Sequence, residues 1–186
     1  FCTTGPLRGE VFTNMPFLNF LVLSGNAYNS SIPMEIGQLP SLENFYIRDA
    51  FVEGTLDFAQ NMPAIFEMWL DQNPGLGGTI PTFIGDLSTL ASFSITLCSF
   101  TGTLPTELGN LQAMEQMWYF GNQLTGEVPS EIGSINRLAI FEMERNMITG
   151  VMPPEVCALT PPFGRLRTLE ADCISEVTCT CCSACF

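Results

Sequence analysis

The amino-acid sequence predicts an α/β repeat solenoid, a right-handed coil with a parallel β-sheet along its concave side and short 3-10 or helical turns on its convex side. Three observations lead there: a period close to 24 residues, apolar residues at fixed places in every period, and a Gly-to-Pro break in the second half of each.

Units beginning at Leu18, Leu42, Ile65, Leu90, Met114 and Leu138 start 24, 23, 25, 24 and 24 residues apart. Their first, fourth and sixth places are apolar, as in Ile65, Met68 and Leu70 or Leu138, Phe141 and Met143. A spacing of two is the alternation of a strand with one side buried, and its recurrence at a fixed period stacks the strands coil upon coil. The ninth place is Asn26, Asn73, Asn122 and Asn146 in four units, and Ala50 and Cys98 in the other two. A buried amide offers both donors and an acceptor to the backbone of the neighbouring coil, so these residues predict a hydrogen-bonded ladder. Each unit then runs from Gly to Pro (Gly78 to Pro81, Gly102 to Pro105, Gly126 to Pro129, Gly150 to Pro153) and into a segment such as Glu131, Ile132, Gly133. Pro denies a long helix at that point, and Gly closes a short turn.

These places are similar to the pattern LxxLxLxxNxLTGxIPxEIGxL of plant-type leucine-rich repeats, of which GNQLTGEVPSEIGSI from Gly121 is nearly a copy. The chain thereby resembles the plant-type class of leucine-rich-repeat proteins over about residues 7 to 159. The resemblance implies a curved solenoid like those of plant receptor-kinase ectodomains and polygalacturonase-inhibiting proteins. The Cys-rich tail after Ala171, Asp172 and Cys173 is similar to tails of leucine-rich-repeat proteins of diatoms and related algae. The expected organisation is a partial N-terminal repeat over 1–17, six leucine-rich repeats over 18–160, and a last strand with a Cys-rich C-terminal cap over 161–186. Leu166, Leu169 and Ala171 take the first, fourth and sixth places of that last strand. Leu7, Gly9, Val11 and Met15 read as the tail of an earlier, shortened unit, which places Cys2 near a strand-core position. The paired-Cys cap usual in the family is missing ahead of Leu18, and Phe1 stands where an initiator Met would. The expectation is a trimmed chain, or an apolar end covered by another subunit or domain.

At 186 residues, 46% hydrophobic and 13% charged, the chain can bury one full core. Its 19 acidic residues face 6 basic ones, a net charge of −13, which excludes nucleic acid and anionic membrane surfaces as partners. The absence of His removes the commonest general base and metal ligand, so no enzyme, cofactor or metal is expected. No run approaches the apolar length of a membrane-spanning helix, so no membrane insertion is expected.

Cys98 occupies the ladder place and is expected to be a free structural thiol. Cys157, Cys173, Cys179, Cys181, Cys182 and Cys185 form an even set in the tail, read as disulfides whose pairing the sequence leaves open. A zinc cluster is disfavoured by the lack of His. Disulfides point to an oxidising compartment, hence to secretion or the cell surface. Asn29, Ser30 and Ser31 form an N-glycosylation sequon.

The second, third, fifth, seventh and eighth places should point outward from the concave sheet. The fifth-place column is Val22, Tyr46, Trp69, Ser94, Trp118, Glu142, and the seventh is Ser24, Arg48, Asp71, Thr96, Phe120, Glu144. Aromatic anchors among polar groups are the composition of binding hot spots. The candidate ligand-binding face is therefore Tyr46, Arg48, Glu67, Trp69, Asp71, Trp118, Phe120, Glu142 and Glu144, and the expected partner is a protein, peptide or glycan. The plainer reading is aromatic rings half-buried against neighbouring columns. Glu142 and Glu144, about 7 Å apart by strand rise, approach a glycosidase pair, but they are expected to be solvated, with no burial to raise a pKa. Two rival functions stay open. One is a structural subunit of a cell-wall, adhesive or filamentous assembly that self-associates through its uncapped N-terminal end. The other is ice or surface binding by Thr rows, Thr101, Thr125 and Thr149 or Thr55, Thr79 and Thr103.

Overall fold

A computed structural model describes residues 4–173 and 176–186, so Cys2 lies outside the described residues. The chain winds as a prism with three kinds of side. Along the concave side an eight-stranded parallel sheet runs in chain order through Phe20–Val22, Asn44–Tyr46, Glu67–Trp69, Ser92–Ser94, Gln116–Trp118, Ile140–Glu142, Thr168–Ala171 and Ala184–Cys185. The register sets fourth places side by side, from Leu21 through Phe45, Met68, Phe93, Met117 and Phe141 to Leu169. All of these except Leu21 are fully buried, so one row of apolar side chains runs through the molecule as a spine.

The ninth-place ladder forms as expected. Asn122 accepts a hydrogen bond from the Phe100 N–H at 3.0 Å and donates to the carbonyls of Ile95 and Tyr119 at 2.8 and 2.9 Å. Asn146 repeats the arrangement on Leu124, Tyr119 and Met143, and Asn73 repeats it on Ala50, Ile47 and Leu70. Each amide thus satisfies polar backbone in its own coil and in the one before, where the chain turns away from the strand. Cys98 stands in the same row as a buried free thiol, touching the carbonyls of Leu70 and Thr96. Just before the ladder, the eighth place is left-handed in every coil, at Gly25, Asp49, Gln72, Leu97, Gly121 and Arg145. Four of those six residues are not glycine, so the turn imposes the conformation against local preference.

The convex side carries the predicted short turns: four-residue α-helices Met34–Gly37 and Pro154–Cys157, and 3-10 turns Asp57–Asn61, Thr82–Asp86, Thr106–Asn110 and Ser130–Ser134. The Gly of these turns does more than close them. A Cβ on Gly85 would stand 2.3 Å from the Glu107 carbonyl oxygen, and one on Gly109 would stand 2.5 Å from that of Glu131. Glycine is required because successive turns approach backbone to backbone.

Between these sides lies a five-stranded parallel sheet of Glu53–Gly54, Gly75–Thr79, Ser99–Thr103, Gln123–Gly126 and Met147–Ile148. Its register corrects the expected Thr rows. Thr101 pairs with Thr79 and Gln123, and Thr125 pairs with Thr103 and Met147, so residues 24 apart do not stand side by side. In the second row each methyl packs instead toward the glycine of the next coil, Thr55 toward Gly78, Thr79 toward Gly102 and Thr103 toward Gly126.

The tail closes the C-terminal end. Leu166, Leu169 and Ala171 are buried as a last strand requires. Disulfides join Cys157 to Cys181, Cys173 to Cys185 and Cys179 to Cys182. The sequence reading missed that the tail also prolongs the sheets: Ala184–Cys185 pairs with Thr168–Ala171, and Val177–Thr178 pairs with Gly150–Val151. At the opposite end, the 3-10 turn Gly9–Val11 packs beside Met34–Gly37 and buries Phe12, while Phe17, Phe20 and Val22 stay exposed.

Two outcomes follow for stability. Asn122→Ala strands the Phe100 N–H and a carbonyl in the interior and should cost about 2–4 kcal/mol in urea unfolding; a loss below about 1 kcal/mol would remove the ladder from its central role. Gly109→Ala should cost about 1–3 kcal/mol through backbone contact alone, since its backbone is not left-handed.

Candidate functional site

Outward alternation along the concave strands places Tyr46, Trp69, Ser94, Trp118 and Glu142 in one paired row. Tyr46 and Trp69 sit on adjacent strands with ring centroids 4.8 Å apart, and Phe20 meets Tyr46 edge-on at 5.4 Å. Trp69 and Trp118 lie two strands apart, about 9.6 Å by sheet spacing, yet their ring centroids are 6.0 Å apart and nearly perpendicular. They can meet because Ser94 between them is small, and the rings close over it until it is buried. The two indoles therefore have packing partners within the chain, half-buried against neighbouring columns as the plainer reading has them. Each keeps part of its surface in solvent.

Polar groups fix these rings. The Trp69 indole N–H donates to Ser92 Oγ at 2.7 Å, and the Arg48 guanidinium lies 5.8 Å from the Trp69 ring centre. Arg48 Nε pairs with Asp71 Oδ2 at 2.8 Å. The other Asp71 oxygen accepts from the Ser94 hydroxyl and, at 3.0 Å, from the Thr96 N–H. Asp71 was expected on the open surface but is buried, because these three neighbouring groups replace its water. The Tyr46 hydroxyl donates to Glu67, and burial followed by that carboxylate pushes its pKa up.

Six of the nine expected residues, Arg48, Trp69, Asp71, Trp118, Phe120 and Glu142, line one open depression of about 250 Å³ together with Ser94 and Thr96. Tyr46 lines a second depression with Arg48 and Trp69 on its N-terminal flank, and Glu67 is joined to it through Tyr46. Ser92, Ser94 and Thr96 were not singled out from the sequence. The one signal available was the lone small residue between two Trp in the fifth-place column.

The acids correct a second expectation. Glu144 is only 8% exposed, and its Oε2 has no hydrogen-bond partner among the described residues. Its pKa is raised, first by burial and then by the charges of Glu142, Glu170 and Asp172. That of Glu142 is raised by burial and by Glu170, with a hydrogen bond to Trp118 acting in the opposite sense. Glu144 is thus buried and Glu142 half-buried, with Glu170 of the last strand paired beside Glu142. Asp172 is committed elsewhere, accepting the N–H groups of Arg145 and Asn146 at 2.8 and 3.0 Å. Asn29 lies exposed at a left-handed turn.

A carboxyl whose folded pKa is raised holds its proton more tightly folded than unfolded. Its contribution to stability is therefore lost as pH rises from the ordinary carboxylate range through the raised value. Glu144→Gln should raise the melting temperature at pH 7 by about 2–4 °C, with the gain shrinking as pH falls toward 4. A gain that is constant with pH would dissociate it from ionisation.

No protein-family model and no curated protein matches the sequence. Solved structures do. The plant peptide hormone receptor RGFR1 in complex with RGF2 superposes with a TM-score of 0.84 at 24% identity, over 96% of this chain and 27% of that one. A TDR receptor gives 0.80 at 29% identity, over 84% and 27%. A plant ice-binding protein gives 0.71 at 21%, over 82% and 47%. The chain thus spans about a quarter of the length of these receptors. With the repeat seen coil by coil in its own residues, the shared architecture shows that this chain has the leucine-rich-repeat solenoid fold.

Proposed function

We propose that the chain is a non-enzymatic extracellular recognition module that binds a peptide or protein segment, or a glycan, along its concave face. The observation that carries this reading is the depression lined by Trp69, Trp118, Phe120, Arg48, Asp71 and Glu142, in which aromatic surface remains accessible while the polar groups around it are held in place. Pre-set rings lose little freedom on binding, which is the circumstance in which an aromatic anchor contributes most. Tyr46 and Glu67 extend the surface toward the first coil, and Glu144 extends it toward the cap.

Likeness to a receptor solved with a peptide hormone supports a peptide ligand. Three disulfides support an oxidising, extracellular setting, in which exposed Asn29 would carry a glycan. A sequence without His, and carboxylates set among aromatic rings on an open face, support binding rather than catalysis.

Self-association is the second reading, favoured by Phe17, Phe20, Val22 and Val11, all exposed at the first-coil end. Sedimentation separates the two: a monomer at all concentrations would sink self-association, and an ordered oligomer would support it. For the binding reading, Trp69→Ala combined with Trp118→Ala should weaken capture of a peptide selected from a display library on the wild-type protein by about a hundredfold or more. The melting temperature should fall by only a few degrees. Undiminished capture would move the binding surface elsewhere.

A further inference from the structure

The two halves of the concave face treat their carboxylates differently. In the N-terminal half, Asp71 receives a guanidinium from within the chain: Arg48 pairs with it at 2.8 Å and sits against the Trp69 ring. In the C-terminal half, Trp118 stands beside Glu142 in the strand pairing, with Glu144 two residues further along and Glu170 paired to Glu142 on the next strand. Here no cation is supplied. The described residues form two ion pairs, Arg48 with Asp71 and Arg137 with Glu115, so among them no Arg neutralises Glu142, Glu144 or Glu170.

Glu144 makes this more than an acidic patch. It is over nine-tenths buried, it occupies the outward seventh place, and Oε2 lacks any donor among the described residues. A buried carboxylate oxygen without a partner is costly in a folded protein and is kept where something else completes it.

We propose that the end of the concave face beyond Trp118 is a receptor for a guanidinium or ammonium group on a side chain of the bound peptide, with Glu142 and Glu144 as its counter-charges and Trp118 and Phe120 as its apolar wall. The inference rests on the concave face being the binding surface and names the chemistry of one part of its ligand. An aromatic wall favours an organic cation over a hard divalent ion, which takes six to eight oxygen ligands and gains nothing from an indole. The net charge of −13 draws a basic peptide toward the whole molecule.

The two Trp provide the readout, because each gives one indole N–H resonance and Trp69→Phe identifies which belongs to Trp118. Titration at pH 7 with N-acetyl-arginine amide should shift the Trp118 resonance saturably, and N-acetyl-norleucine amide of similar shape should not. Glu142→Gln combined with Glu144→Gln should weaken the arginine response roughly tenfold, equivalent to about 1.4 kcal/mol, in a protein whose remaining spectrum stays folded; Glu144→Gln alone gives a smaller loss in the same direction. An equal response to norleucine, an undiminished response in the double variant, or a stronger response to calcium chloride than to arginine would each overturn the proposal. If arginine fails while peptide capture still depends on Trp69 and Trp118, the cation receptor alone is lost. If capture is independent of both Trp, the wider reading fails whatever arginine does.

Discussion

The buried asparagine amides carry the hydrogen bonds that let each coil leave the concave strand and turn without exposing or wasting backbone polar groups. Asn73, Asn122 and Asn146 each bind their own coil and the preceding one, so coil spacing is set by side-chain chemistry as well as by the sheet. Once strands are fixed at sheet distance on the concave side, the other sides must adapt. On the convex side the turns come so close that only glycine fits at Gly85 and Gly109. The left-handed eighth place, imposed even on Leu97 and Arg145, is the angular counterpart of the same turn.

That rigid frame makes the concave face a surface of fixed spacing. Side chains at equal places meet across strands, and their sizes decide what forms. A serine between two tryptophans lets the rings close over it, and an aspartate beneath an arginine is completed by a hydroxyl and an amide. Beyond Trp118 the row ends in carboxylates that the chain does not complete. The face is electrostatically finished at one end and unfinished at the other.

The period, the spine and the asparagine ladder were legible because each rests on residue type at a fixed place, repeated several times. The outward columns were legible for the same reason, and six of the nine singled-out residues line one depression. What escaped depends on depth and register. Alternation gives the direction of a side chain but not the height of its neighbours, so buried Asp71 and Glu144 read as surface acids. The Thr rows failed because pairing in the second sheet is offset from the 24-residue period. Disulfide pairing and the strands within the tail depend on three-dimensional approach, which six cysteines in a row do not encode.

Cys98 replaces an amide of the ladder with a thiol, and every other cysteine among the described residues is in a disulfide. Burial pushes the pKa of this thiol up to about 12, which leaves it almost entirely protonated and unreactive in the closed coil. It lies in the coil that carries Ser94 and Thr96, directly behind the aromatic depression. The rate at which an alkylating reagent reaches it is therefore a measure of how often that coil opens, and a ligand that bridges Trp69 and Trp118 would slow the reaction by holding the coil shut.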